Sequence, residues 1–237
     1  NGKTTTTSLV THLLNCCGKP AHACGNIGAT CVEAVEQRGD GEMLVAEMSS
    51  YQLASTVGFA PRVAILLNIT PDHISWHGGF DAYAQAKFKM FANMPAASTA
   101  VVTDAVLDAY PELRAFLDER GVKLVSVGAE RAASCAFEDA HGTLVIKDGK
   151  GRCTELAQAC ELGIQGAHNV ENALCAVSAA LACECEHACI REGLMSFRPL
   201  EHRLEPCGCI DGVDFFNDST ATYVDATLKA LTAFPGR

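Results

Sequence analysis

Leu9, Val10, Leu13 and Leu14 recur at helical spacing directly behind the polar stretch Asn1-Gly2-Lys3-Thr4-Thr5-Thr6-Thr7, predicting a helix with one buried face. Shorter apolar runs follow. Ala21 to Cys24, Met43 to Met48, Val63 to Asn68, Thr99 to Thr103 and Lys123 to Val127 read as strands. The continuous run Val63-Ala64-Ile65-Leu66-Leu67 is expected of a central parallel strand buried on both faces. Between these runs, Phe80 to Phe91 and Tyr110 to Arg120 read as amphipathic helices. Phe80, Tyr83, Ala84 and Phe88 form the apolar side of the first, with Lys87 close to that side.

Strand–helix alternation of this kind predicts an α/β fold with a mostly parallel, doubly wound sheet. Ser134 to Glu155 departs from the alternation. Its turns at His141-Gly142 and Asp148-Gly149-Lys150 predict a small antiparallel β appendage. A helix opening at His168 and running to about Ala182 precedes the linker Phe197-Arg198-Pro199. Beyond it a strand begins at His202-Arg203-Leu204-Glu205, a turn falls at Asp211-Gly212, and Val213 to Phe216 is a second strand, with a helix from near Val224. Residues 1–199 are expected to form one domain, and 200–237 the first strands and helix of a second, Rossmann-like one. The latter is too short for a core of its own.

Charge narrows the ligands. A formal net charge of −10 argues against nucleic acid or an anionic membrane, so any phosphate must be held by local donors and metal. No apolar run approaches the ~20 residues of a membrane span, and a cytoplasmic, monomeric protein is expected. The chain starts without Met inside a motif, so it is expected to be a piece cut at both ends, lacking the front half of the loop and its preceding strand. Thirteen cysteines with no Cys-x-x-Cys pair read as free thiols in a reducing compartment. Cys183, Cys185, His187 and Cys189 are the alternative soft-metal set.

The opening residues carry the clearest chemistry. Gly2 lets a phosphate approach backbone amides, Lys3 brings charge, a hydroxyl at Thr4 or Thr5 can ligate Mg²⁺, and a helix N-terminus follows. Glu47 ends a strand, where ligands gather in open α/β sheets, and is a candidate metal ligand or a solvated acid. His73, preceded by Asp72 at another strand end, is a metal ligand or a structural histidine. Lys87 either reaches water or, with a lowered pKa, reacts with CO₂ to give an anionic carbamate. Gly25-Asn26-Ile27-Gly28 presents an amide or is an ordinary turn. Asn169 and Asn172 share a helix face, as base contacts or caps.

In this order the motifs resemble those of the Mur ligase family of ATP-dependent amino-acid-adding enzymes of peptidoglycan synthesis. The resemblance rests on Asn-Gly-Lys-Thr-Thr, Glu47-x-Ser-Ser, Asp72-His73, Tyr83-x-x-x-Lys87, His168-Asn169-x-x-Asn172 and His202-Arg203-x-Glu205. Gly25 to Gly28 and Asn217-Asp218-Ser219-x-Ala221-Thr222 resemble the D-glutamate-adding members more narrowly. The resemblance implies ATP and Mg²⁺ as cofactors, UDP-N-acetylmuramoyl-L-alanine and D-glutamate as substrates, and an acyl-phosphate intermediate. By the same resemblance Asn1, Gly2, Lys3, Thr4 and Thr5 would hold the ATP phosphates. Asn169, Asn172, Arg203 and Asp218 would contact the nucleotide and the domain seam, and Asn26 the uridine nucleotide. Thr4 and Glu47 would hold one Mg²⁺, His73 and a carbamylated Lys87 a second. The family usually has Lys at Thr220 and Asn at Tyr223, a departure that puts a binding cation in doubt. The chain alone is expected to lack ligase activity. Competing readings are another Mur ligase or folylpolyglutamate-synthase-like ligase, and a P-loop module that binds nucleotide without forming a bond.

Overall fold

The computed structural model describes residues 1–72, 74–164, 166–198, 200–221, 227–228 and 230–231. Its first helix, α1 (Lys3–Cys16), leads to β1 (Ala21–Gly25), α2 (Cys31–Gln37) and β2 (Met43–Glu47). Then come α3 (Ser50–Ala54), β3 (Val63–Leu66), α4 (Ile74–His77), α5 (Phe80–Phe88) and β4 (Thr99–Thr103). Thr30 and Ser49 cap α2 and α3 with reciprocal side-chain bonds to Glu33 and Gln52, so two short helices start sharply behind their strands.

The expected helix from Tyr110 to Arg120 is shorter, α7 (Glu112–Glu119), and a further helix, α6 (Asp104–Ala109), precedes it. Pro111 explains the division, because it cannot donate the backbone bond that would continue one helix through the junction. The helix opening at Phe80 likewise ends as α-helix at Phe88 and tightens to a 3-10 turn over Lys89–Phe91. Tyr83 and Ala84 are buried as expected, but Phe80, the first residue of α5, is exposed.

Strands β3 and β4 continue through β5 (Lys123–Gly128), β6 (Cys135–Glu138), β7 (Thr143–Lys147) and β8 (Cys153–Gln158) as one six-stranded sheet in sequence order. The pairs from β3 to β6 are parallel, and β7 and β8 run antiparallel at the far edge. The antiparallel segment is thus an extension of the main sheet. Strands β1 and β2 pair in parallel as a separate ladder. Among the described residues Val63 to Leu66 pairs with β4 alone and ends the six-stranded ladder.

Helices α8 (Ala167–Ala182) and α9 (His187–Ser196) close the core with α1. Leu9, Leu13 and Leu14 bury against Ala173, Ala176, Val177 and Ile190, all in one apolar cluster. A Cβ on Gly193 would lie 2.7 Å from Leu13 Cδ2, so glycine is what lets α9 approach α1 this closely. All thirteen cysteines are free, and Cys175 fills a fully buried, alanine-sized position on α8. The last strands, β9 (Glu205–Ile210) and β10 (Val213–Asn217), form an antiparallel hairpin with a sheet of its own. Val224, where a helix is expected to start, lies outside the described residues, as does Pro199 of the linker. No described helix is long and apolar enough to cross a membrane.

Leu13 is 0 % exposed and Val57 91 % exposed. Leu13→Ala should cost about 2–5 kcal/mol in urea-unfolding free energy, and Val57→Ala no more than about 0.5 kcal/mol. Equal losses at the two positions would contradict the assignment of α1 to the core.

Candidate active site

The site starts where α1 starts. Gly2 is the N-cap of α1 with φ +77°, and a Cβ there would sit 2.3 Å from Asn172 Oδ1. Conformation and space both demand glycine. Beneath the loop the Thr6 hydroxyl donates to Asn172 Oδ1 at 3.3 Å, and Asn172 Nδ2 donates to Asn169 Oδ1 at 3.1 Å. Both asparagines are buried, so the structure sets Asn172 against the loop as a support. The first turn of α1 holds no acidic residue, and its unpaired N–H groups face outward with a partial positive charge.

Arg203 comes from just before β9. Its Nη2 donates to Thr4 Oγ1 at 3.2 Å, across 199 positions of sequence. His202 and Leu204 on either side have φ of +64° and +46°, a strained local backbone that turns Arg203 toward the loop. Asp218 Oδ1 accepts the Leu204 N–H at 3.2 Å and so holds that strained segment. Thr220, where the family resemblance expects Lys, donates its hydroxyl to the His202 carbonyl at 2.7 Å.

Glu47 ends β2 and is 3 % exposed. Asn26 Nδ2 donates to Glu47 Oε1 at 3.0 Å, and the Asn26 N–H donates to the Glu47 carbonyl at 2.8 Å. Gly25, with φ +96°, makes this approach possible, since a Cβ would stand 2.4 Å from the Glu47 carbonyl oxygen. Glu47 Oε2 is buried with no hydrogen-bond partner among the described residues. A buried carboxylate oxygen left open in this way is chemically suited to a cation.

Lys87 reaches in from α5. Its Nζ donates to the Asn68 carbonyl at 3.0 Å and lies 5.0 Å from the centre of the Tyr83 ring. Burial, then the nearby Lys3 charge, lower its pKa from 10.5 to about 8, opposed by Asp72. Burial and then Asp72 push the Tyr83 phenol up to about 12, so it stays protonated beside Lys87. His77 meets Ser50 Oγ through Nε2 at 3.0 Å and packs its ring against Tyr51 and Tyr83. His73 lies outside the described residues.

Asn1, Lys3, Glu47, Asn68 and Lys87 line one cavity of about 670 Å³, whose apolar wall comes from the facing edges of β2 and β3 together with Val10 and Leu14. Lys3, Glu47 and Lys87, spread over more than eighty positions, thus share one rim. Two ammonium groups, a helix N-terminus and an unpaired carboxylate oxygen suit a polyphosphate carrying a divalent cation. Among the described residues no group of three or more His, Cys, Asp or Glu side chains is placed to hold a metal ion by itself. The open Glu47 Oε2 and a loop hydroxyl suit Mg²⁺, which takes few protein ligands and fills its shell from phosphate and water. Near the alternative soft-metal set, burial and then the neighbouring Cys185 thiol raise the free Cys17 thiol to about 12. Two features were not singled out from the sequence: the bond between Asn26 and Glu47, and Asn68. The only signal for Asn68 is its type, an amide closing an apolar strand.

Competitive trace acylation read by peptide mass spectrometry should show Lys87 half-reactive near pH 8. The folded chain holds this proton less tightly than the unfolded one, so stability should rise as pH climbs from about 8 toward 10.5. A Lys87 midpoint near 10.5 would contradict the buried, cation-facing environment.

Residues 1–180 match the Mur ligase middle domain. The UDP-N-acetylmuramoylalanine--D-glutamate ligase of Solibacter usitatus (strain Ellin6076) is 41% identical over 240 residues, covering 100% of this chain and 51% of that protein. The same-named ligase of Streptococcus mutans serotype c is 35% identical over 237 residues, covering 99% and 50%. The chain spans about half the length of these curated relatives. Among solved structures, MurF ligase from Thermotoga maritima in complex with ADP aligns at TM-score 0.68 and 19% identity, over 100% of this chain and 56% of that one. An FPGS–AMPPCP complex aligns at TM-score 0.66 and 16% identity, over 98% and 69%. Those two likenesses speak to the fold, which is the mixed α/β architecture described above. Since the family match runs through the phosphate loop, the strand ends and α5 as far as α8, the chain belongs to the Mur ligase family.

Proposed function

We propose that this chain is the nucleotide-binding portion of an ATP-dependent ligase that adds D-glutamate to UDP-N-acetylmuramoyl-L-alanine in cytoplasmic peptidoglycan synthesis. The carrying observation is that Lys3, Glu47 and Lys87 line one cavity at the mouth of α1. The choice of amino acid is supported by relatives of 35–41% identity named as D-glutamate-adding ligases. The likeness to MurF and FPGS keeps other amino-acid ligases of this fold as the second reading.

In the proposed reaction the terminal phosphoryl group of ATP passes to the substrate carboxylate, giving an acyl phosphate and ADP. The amine of D-glutamate then attacks the acyl carbon, loses a proton, and inorganic phosphate departs as the peptide bond forms. Two anions must meet for the first step, so the residues' task is charge control and alignment. Gly2 and the amides of α1 receive phosphate oxygens, with Lys3 over them and Arg203 reaching the same loop through Thr4. Glu47 Oε2 and a Thr4 or Thr5 hydroxyl are suited to Mg²⁺, which when bound would supply further neutralisation of phosphate charge. Asn26, through its bond to Glu47, would couple the uridine-nucleotide side to the cation side. Lys87, with a pKa of about 8, has a reactive neutral fraction near neutral pH, which supports carbamate formation and a second cation ligand alongside His73. Asn169, Asn172, Arg203 and Asp218 are proposed to shape the adenosine side through the loop they support.

The full-length ligase should release phosphate only when ATP, UDP-N-acetylmuramoyl-L-alanine and D-glutamate are all present. Lys87→Ala should lower kcat about 10²–10³-fold. Glu47→Gln should raise the Mg²⁺ concentration needed for half-maximal rate by at least about 10-fold. Full turnover by the Lys87→Ala enzyme would defeat the ligase mechanism, and turnover with another amino acid in place of D-glutamate would favour the second reading.

A further inference from the structure

Asn68 follows β3 and is contacted from three sides. Its side-chain Oδ1 accepts from the Asn1 nitrogen, a terminal ammonium here, at 2.9 Å, and its Nδ2 donates to the Asn1 carbonyl at 3.1 Å. One amide thus pairs with both main-chain groups of a single loop residue, 67 positions away. The main-chain carbonyl of the same residue accepts Lys87 Nζ at 3.0 Å. Immediately before it, the Leu67 carbonyl accepts the hydroxyl of buried Thr103 at 2.7 Å, which fixes this strand end to β4.

Asn1 adjoins Gly2, the residue that turns the loop into α1. Lys87 lines the same cavity as Lys3 and feels its charge. A single residue therefore touches the loop with its side chain and that lysine with its backbone. The reciprocal pairing is selective for Asn, whose planar amide offers a donor and an acceptor side by side; Asp offers only acceptors and Ser a single hydroxyl.

We propose that Asn68 is a positioning residue, its side-chain amide clamping the phosphate loop at Asn1 while its carbonyl seats Lys87, so that the two cationic sides of the site keep a fixed separation. Asn68 need not touch the nucleotide to act in this way. The inference rests on the ATP-dependent reading only for the identity of the phosphate ligand. Its consequence is a loop already ordered before nucleotide arrives, so that less ordering cost is charged against binding.

The test uses the full-length protein and MgADP as probe, with affinity measured by calorimetry and amide exchange followed in the absence of nucleotide. Asn68→Ala should weaken MgADP about tenfold and speed exchange at Gly2 to Thr5, with β4 and β5 as protected as before. Asn68→Ser, keeping one hydroxyl, should lose less. Thr103→Val removes the bond that holds the same strand end from the core side. It should lower the melting temperature yet leave MgADP affinity unchanged. Unaltered affinity in Asn68→Ala, or equal weakening in Asn68→Ala and Thr103→Val, would overturn the clamp. If Asn68→Ala does not fold, the same comparison between Asn68→Ser and Thr103→Val decides. Failure of the unmodified protein to bind MgADP would instead count against the ATP reading, and loop exchange in the variants would still judge the clamp.

Discussion

The contact between Gly2 and Asn172 joins the core of this protein to its chemistry. Gly2 can take its left-handed conformation only because it lacks a Cβ, and the space a Cβ would need is filled by the Asn172 amide. Asn172 belongs to α8, whose other residues pack among the most buried in the chain. Helix α1 is gripped along its length by the same cluster. The Gly2 loop is therefore not a free surface turn. Its direction follows from how α1 and α8 pack, and its amides are aimed before any ligand arrives.

Around that fixed point the electrostatics are local. A chain of net charge −10 repels polyphosphate at long range, and near the site the sign is reversed by Lys3, Lys87 and Arg203 over an α1 first turn free of acid. Glu47 is the counterweight, buried with one oxygen held by Asn26 and the other open. Burying a carboxylate oxygen without a partner is costly in a folded protein. A divalent cation held there, as proposed above, would relieve that cost.

Much of the fold was legible because strand and helix periods differ. Val63 onward, Thr99–Thr103 and Lys123 onward are short β-rich runs between amphipathic stretches, and they form strands as read. The split around Pro111 was visible in principle but overshadowed by the apolar pattern on each side. Which strands flank β3 was not legible, since a continuous apolar run says a strand is buried without saying by what. At the site, Gly2, Lys3, Glu47 and Lys87 could be singled out because each chemistry demands a particular residue type in a particular local setting. Asn68 and the pairing of Asn26 with Glu47 could not, because an amide bonded across 67 or 21 positions leaves no periodic trace. His73 lies outside the described residues.

The central claim is that Lys3 and Lys87 face one polyphosphate. The most direct measurement is the joint protection of both lysines from trace acylation during a titration with MgATP. The account predicts that reactivity at Lys3 and Lys87 falls together, with one midpoint, while exposed Lys150 is unaffected. Protection of Lys3 with Lys87 unchanged at saturating MgATP would contradict it, leaving a phosphate loop without the second cation.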